Sequence, residues 1–116
     1  MEIIRHPDIE KDFRILKRFP APQESFDAWE RFFYFKGLSE TPGIDLYPGF
    51  GELKIYKAKV VPLKENCGKS KGYRLIFQIY PDGLCKILVF SRHGVYKSEQ
   101  ELIDLIRTRI KKVADA

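Results

Sequence analysis

The side chains best suited to chemistry are basic residues in the middle of the chain. Residues 53–92 hold nine Lys and Arg against two acidic residues, in a chain of 116 residues whose formal net charge is +5. Such a concentration indicates a surface that binds a polyanion. A solvated lysine-rich face is the simpler interpretation, and charge alone is compatible with both. The strongest candidates are Lys57, Lys59, Arg74 and Arg92, with the aromatic Tyr96 close behind them.

Two other side chains could move protons. His93 could act as general acid or base, because imidazole exchanges protons near neutral pH. It could equally be an exposed turn residue beside Gly94. Glu52 could supply a carboxylate base, although its position before a strand is more typical of a solvated loop end.

Three strand-like segments must position the basic residues: 53–61, 73–80 and 85–92. Side chains alternate between the two faces of a strand, so an apolar alternate set identifies the buried face. In 73–80 the set beginning with Tyr73 and Leu75 is wholly apolar, which turns Arg74 toward the open face. The same reasoning directs outward Lys57, Lys59, Lys86, Leu88, Phe90 and Arg92, and inward Cys85, Ile87, Val89 and Ser91.

Helical patterns surround these strands. Apolar spacing predicts helices over 8–19 and from Phe26 to about Lys36, with Gly37 ending the second. Ser98 and Glu101 have capping-box spacing at the start of a third helix. A short strand over 2–5 precedes them, 39–51 reads as a loop, and Asp82-Gly83 predicts a hairpin. The predicted fold is a single α+β domain over 1–116, with the order β-α-α-β-β-β-α and three helices packed on a mostly antiparallel sheet.

Composition excludes several classes of protein. Apolar residues are 44% of the chain and charged residues 32%, which argues against disorder and low complexity. The longest apolar runs are far shorter than the roughly 20 residues of a bilayer span, and no signal-peptide core is present. Cys67 and Cys85 do not form a disulfide framework, and with His6 and His93 they show no metal-ligand spacing. We therefore expect a cytoplasmic protein without a metal site.

Three segments resemble the RelE/ParE superfamily of toxins from toxin–antitoxin systems. Tyr56-Lys57-Ala58-Lys59-Val60 is similar to the basic second strand of that family. The segment from Gly68 to Phe77, with Gly72-Tyr73-Arg74 at its centre, resembles the turn that leads into the next strand. Arg92-His93-Gly94-Val95-Tyr96 resembles the segment that closes the site before the last helix. The resemblance extends over nearly the whole chain in element order and implies a RelE-like fold.

The resemblance also implies a function. In the branch that cleaves mRNA, members are endoribonucleases that act in the ribosomal A site, inhibit translation and need no metal or other cofactor. By position, Lys57 and Lys59 would bind phosphate, and one of them could deprotonate the ribose 2′-hydroxyl. Arg74 would stabilise the phosphorane, Arg92 would assist the leaving oxygen or hold the scissile phosphate, and Tyr96 would stack on or orient the target base. Further RNA contacts would come from Lys54, Lys69, Lys71 and Lys86.

The family resemblance implies partners as well as a reaction. A cognate antitoxin would form a hetero-oligomer with the chain, and mRNA and the ribosome would be its targets. Two other functions are compatible with the sequence: a ParE-like toxin that binds DNA gyrase without cleaving nucleic acid, and a non-catalytic domain that binds RNA or the ribosome. The combination of basic and aromatic residues favours the nuclease over the gyrase poison.

Overall fold

The computed structural model describes residues 1–65 and 72–115, which form three helices and a five-stranded mixed sheet. The α+β class predicted from the sequence is confirmed within this part of the chain. The strands are β1 (Ile3–Arg5), β2 (Ile44–Leu46), β3 (Lys54–Val60), β4 (Tyr73–Ile79) and β5 (Cys85–Arg92). The helices are α1 (Ile9–Ile15), α2 (Pro22–Glu40) and α3 (Glu99–Asp115).

The strands lie in the order β1-β5-β4-β3-β2. β1 is parallel to β5, whereas every other neighbouring pair is antiparallel. The predicted β4–β5 hairpin is confirmed: Gly83 takes a left-handed φ of 91°, and its N–H donates to the Tyr80 carbonyl. Glycine adopts this conformation without a steric penalty, which suits it to a tight turn.

Three predicted boundaries are wrong in part. The sequence predicts a loop over 39–51, whereas β2 lies there and pairs with β3, Ile44 opposite Ala58. A strand of three residues is too short to show a hydrophobic pattern between turn-forming residues. The second helix does break at Gly37, where φ is 77°, but helical structure resumes as far as Glu40. α1 ends at Ile15 instead of residue 19, and turns follow it.

One face of the sheet packs against α1 and α2. Its core is aromatic: Phe26 and Phe33 of α2 are fully buried against Tyr73 and Phe77 of β4. The ring centroids of Phe33 and Phe77 lie 5.0 Å apart. Large buried rings contribute strongly to stability, so this face forms the main core of the described residues.

The other face packs against α3, which corrects the expectation that this side is open. Ser98 caps α3 as predicted, since its Oγ accepts a hydrogen bond from the Glu101 N–H at 3.2 Å. The buried residues of this second cluster are Tyr47, Ile55, Ile76, Leu88, Val89, Leu102 and Ile106. Among the described residues, none of the helices has both the length and the apolar character that crossing a bilayer demands.

A β-bulge in β5 changes which side chains face which layer. Ile76 pairs with Val89, but Phe77 pairs with Ile87, so Leu88 is an extra residue without a partner in β4. An extra residue shifts the alternation by one position beyond it. Phe90 therefore packs with α1 and α2 and Val89 with α3, the reverse of the sequence prediction for both residues. Leu88 itself lies on the α3 side, as predicted.

A buried ion pair holds the bulge. Arg109 of α3 donates two hydrogen bonds to the Asp12 carboxylate, at 2.7 and 2.8 Å, and one to the Leu88 carbonyl at 2.8 Å. The same carboxylate accepts the Phe90 N–H at 2.8 Å. Both charged side chains are at most 5% exposed. The pair therefore joins α1, α3 and the two sides of the bulge.

Candidate functional site

Strand register places three of the predicted cations on the α3 side of the sheet. Lys59 of β3 lies directly opposite Arg74 of β4, and Lys57 lies opposite Ile76. Directly paired residues share a face, and so do residues two positions apart. Lys59 is exposed and Lys57 is half-buried. Within the described residues neither lysine makes an ion pair with a carboxylate.

His93 lies beside Arg74 at the end of β5. An Arg74 guanidinium nitrogen, Nη2, is 3.4 Å from His93 Nδ1. The Arg74 side chain is 38% exposed, and His93 is also exposed. Both residues border a cavity of about 190 Å³ between the sheet and the start of α3. The cavity lining comprises Arg74, Ser91, Arg92, His93, Tyr96, Lys97, Ser98, Glu99 and Leu102.

Two residues that the sequence did not single out complete this arrangement. Tyr47, which follows β2, is buried on the α3 side, and the Nζ of Lys57 lies 5.3 Å from the centroid of its ring. The Tyr47 hydroxyl donates a hydrogen bond to Glu99 Oε2, and Glu99 Oε1 lies 3.6 Å from Arg74 Nη1. We call Lys57, Lys59, Arg74, His93, Tyr47 and Glu99 the Arg74 cluster.

No sequence signal identifies Tyr47 or Glu99 as part of a site. Tyr47 lies in a segment rich in Pro and Gly, where an aromatic residue has many structural explanations. Glu99 is in the first turn of α3, where an acidic residue is expected simply because it complements the helix dipole. Their proximity to Arg74 results from the pairing of β2 with β3 and the packing of α3.

Arg92 borders the cavity, but its guanidinium points away from the Arg74 cluster, contrary to the prediction. The bulge at Leu88 turns its side chain to the α1 and α2 side, where its guanidinium lies 4.3 Å from the Phe19 ring centroid. It donates two hydrogen bonds to the Glu65 carboxylate, at 2.6 and 2.7 Å, and its side chain is only 9% exposed. Arg92 is thus engaged in an internal ion pair.

Tyr96 lies on the α3 side of the sheet and borders the cavity beside Arg74 and His93. It is half-buried and packs against the second cluster beneath α3. Burial raises the pKa of its hydroxyl above the ordinary value of 10.0. Because the side chain is half-buried, part of it is covered by the second cluster.

The remaining predicted RNA contacts lie apart from the Arg74 cluster. Lys86 is on the α3 side, opposite Gln78, about 13 Å along the strand from Arg74 at the usual rise per residue. Its Nζ lies 5.7 Å from the Tyr80 ring centroid. Lys54 is exposed at the start of β3 on the opposite face, as its parity predicts. Lys69 and Lys71 lie outside the described residues.

A larger cavity elsewhere is a weaker candidate for a site. It measures about 820 Å³ and lies between β1 and α2. Its central cation, Arg5, already bonds to Asp27 at 2.8 Å and to Glu30 at 2.9 Å. Mutual pairing leaves these charges little to offer a ligand. The described residues contain no group of three or more metal-ligating side chains.

No family model, curated protein or solved structure gives a significant match to this chain. The comparisons therefore leave the resemblance to RelE/ParE toxins as a prediction from the sequence. What defines the candidate site is its geometry: three cations, an imidazole, a phenol and a carboxylate on one side of the sheet, with Arg74, His93 and Glu99 lining a cavity.

Proposed function

We propose that the Arg74 cluster binds RNA and cleaves it by metal-independent transesterification. The observation that supports this most directly is the contact between Arg74 and His93, at 3.4 Å, with Lys59 directly opposite Arg74 on β3. A guanidinium matches the geometry of a phosphate, and a nearby imidazole can transfer protons. The two lysines are positioned to meet neighbouring phosphates of an extended strand.

In the proposed reaction the ribose 2′-oxygen attacks the adjacent phosphorus. The bond from the 2′-oxygen to phosphorus forms, the bond from phosphorus to the 5′-oxygen breaks, and the products are a 2′,3′-cyclic phosphate and a 5′-hydroxyl. Arg74 stabilises the charge that develops on the non-bridging oxygens. His93 exchanges a proton with the attacking or the departing oxygen, and a lysine or a water molecule serves the other one.

A second candidate, a domain that binds RNA without cleaving it, is favoured by two specific findings. The Arg92 guanidinium is paired with Glu65 and Tyr96 is half-buried, so two groups that the family resemblance assigns to catalysis are already engaged within the fold. The surviving cations would still bind a phosphate backbone. No observation in the described residues favours a gyrase-binding toxin.

The wider proposal is that the chain is the toxin of a toxin–antitoxin pair that acts on mRNA at the ribosome. That part rests on the sequence resemblance, and it includes the cognate antitoxin as a partner. Adding ribosomes programmed with an mRNA to the cleavage assay tests it: cleavage that occurs only in the programmed ribosome supports a translation-dependent toxin. Cleavage of free RNA at the same rate would show that the ribosome is not required.

The test of the core proposal uses purified protein, a 5′-labelled RNA of mixed sequence and excess EDTA. We expect fragments that end in 2′,3′-cyclic phosphate. Arg74→Ala should lower the rate of cleavage about 100-fold or more, and His93→Asn should lower it to a similar extent. Lys36→Ala, an exposed cation on α2, is the matched control and should retain full activity. A different result would favour the domain that binds RNA without cleaving it: Arg74→Ala and Lys57→Ala/Lys59→Ala weaken RNA binding, but neither the wild type nor any variant cleaves RNA, with or without ribosomes.

A further inference from the structure

The carboxylate of Glu99 occupies the place in the Arg74 cluster where an anionic ligand would be held. One oxygen faces Arg74 Nη1 at 3.6 Å, and the other accepts the Tyr47 hydroxyl. A phosphate oxygen would seek these same two donors, because both bind oxyanions. The site is therefore already neutralised in part by a side chain of the chain itself.

The three side chains differ in how easily they can move. Tyr47 is 6% exposed and fixed in the core beneath α3, whereas the Glu99 side chain is 54% exposed at the first turn of that helix. Burial, followed by the contact with Glu99, raises the pKa of the Tyr47 hydroxyl above its ordinary value, so this group keeps its proton as a donor. Glu99 can thus swing into solvent and leave both donors in place.

We propose that Glu99 is a resident competitor for the ligand phosphate, and this rests on the proposed function that the cluster binds RNA. An isolated phosphate only replaces the contacts that Glu99 already makes, because Arg74 and Tyr47 both have this carboxylate as a partner before the ligand binds. An RNA strand also reaches Lys57 and Lys59, which hold no carboxylate among the described residues. Glu99 therefore lowers the affinity for every phosphate ligand, and a strand that also reaches the two lysines can offset the cost of displacing it.

Glu99→Gln tests this assignment with little structural change. Glutamine keeps an oxygen that can accept the Tyr47 hydroxyl but removes the charge opposite Arg74. Glu101→Gln is the matched control, because it lies two residues away, makes the same change in net charge and preserves the capping spacing. The ligands are inorganic phosphate and a 2′-O-methyl RNA decamer that cannot be cleaved, measured by NMR titration and fluorescence anisotropy.

We expect Glu99→Gln to tighten the binding of both ligands, inorganic phosphate and the decamer, about three- to ten-fold, because a charge close to the ligand phosphate is removed. Glu101→Gln should change either affinity less than about two-fold, since its charge is exposed and more distant. The Tyr47 ring resonances should shift when the decamer binds wild type, and shift less in Glu99→Gln. Equal affinities for Glu99→Gln and Glu101→Gln would overturn the competitor role.

Decamer binding by Arg74→Ala distinguishes a failure of the competitor role from a failure of the proposed function. If Arg74→Ala abolishes decamer binding while Glu99→Gln and Glu101→Gln behave alike, the RNA site stands and only the competitor role is wrong. If Arg74→Ala binds the decamer as well as wild type does, both proposals are wrong. A thermal melt of each variant shows whether lost binding reflects lost folding.

Discussion

Replacing Arg109 by Met tests the buried ion pair that organises the sheet. Arg109 is 4% exposed and donates to the Asp12 carboxylate and the Leu88 carbonyl. Methionine has a similar length and suits a buried site, so the change removes the charge and donors with little loss of volume. It leaves the Asp12 carboxylate with the Phe90 N–H as its one hydrogen-bond donor among the described residues.

The expected loss of folding free energy is large. Removing one partner of a buried ion pair typically costs about 3–5 kcal/mol, because the other charge stays buried without compensation. The Leu88 carbonyl also loses a donor, and an unsatisfied buried group costs about 1–3 kcal/mol. The second cost overlaps the first, so we expect about 3–5 kcal/mol in total, against about 5–15 kcal/mol for a typical domain.

The loss should depend on pH in a defined direction. Burial already raises the pKa of Asp12 above its ordinary value, although Arg109 and the Phe90 N–H oppose this. Without Arg109 the pKa of Asp12 in the folded state rises further. A carboxyl group whose pKa is raised on folding destabilises the protein as pH increases from its unfolded pKa, about 3.9, through its folded pKa. The difference from wild type should therefore widen between pH 4 and pH 7.

Urea unfolding of wild type, Arg109→Met and Lys111→Met at pH 4.5 and pH 7 measures these quantities. Lys111 is exposed on the same helix, and its variant carries the same change in charge, so it should lose about 0.5 kcal/mol or less. The loss for Arg109→Met should be smaller at pH 4.5 by about 1 kcal/mol or more. A loss no larger than that of Lys111→Met, or one that is equal at both pH values, would refute the reasoning.

Two further predictions concern the opposite face of the sheet. Glu65→Gln should destabilise the fold by about 1–3 kcal/mol, because it weakens a pair in which the nearly buried Arg92 donates two hydrogen bonds. The control is Glu24→Gln, which breaks the exposed pair with Lys64 and should cost about 1 kcal/mol or less in the same urea assay. Arg92 lowers the pKa of Glu65, so the stability that the pair contributes is present above the unfolded pKa of Glu65 and is lost as pH falls through its folded pKa. A difference in unfolding free energy between wild type and Glu65→Gln that stays constant from pH 7 to pH 3 would contradict this. Burial raises the pKa of the Cys85 thiol to about 12. In a Cys67→Ser variant, a thiol reagent at pH 8 should therefore react with Cys85 only after denaturant is added. Rapid reaction of the native protein would show that β5 opens.

Much of the fold was accessible from the sequence because its signals are local. The β4–β5 hairpin follows from Asp82-Gly83 between two apolar strands, and the start of α3 follows from Ser98 and Glu101. β2 was not accessible, since three residues carry too little pattern and the strand depends on pairing with β3. The packing of α3 on the second face is likewise a tertiary result.

The candidate site was predictable where strand pairing is continuous. Lys59 and Arg74 are on one face because β3 and β4 pair without interruption over these residues, so alternation gives the correct side. Glu99 and Tyr47 were beyond reach, since a helix terminus and a loop bring them to Arg74. His93 was an open alternative in the sequence, and its contact with Arg74 now gives it a specific position.

The bulge shows why alternation failed at Arg92. Leu88, Val89 and Phe90 are consecutive apolar residues, so polarity carries no information about which of them is the extra residue. The information lies instead in the contact of Asp12 with Arg109, residues separated by 97 positions, which holds the chain on both sides of Leu88. By fixing the bulge, this ion pair determines the side of the sheet on which Arg92 lies, and it keeps the Arg92 guanidinium off the α3 side, where Arg74 lies.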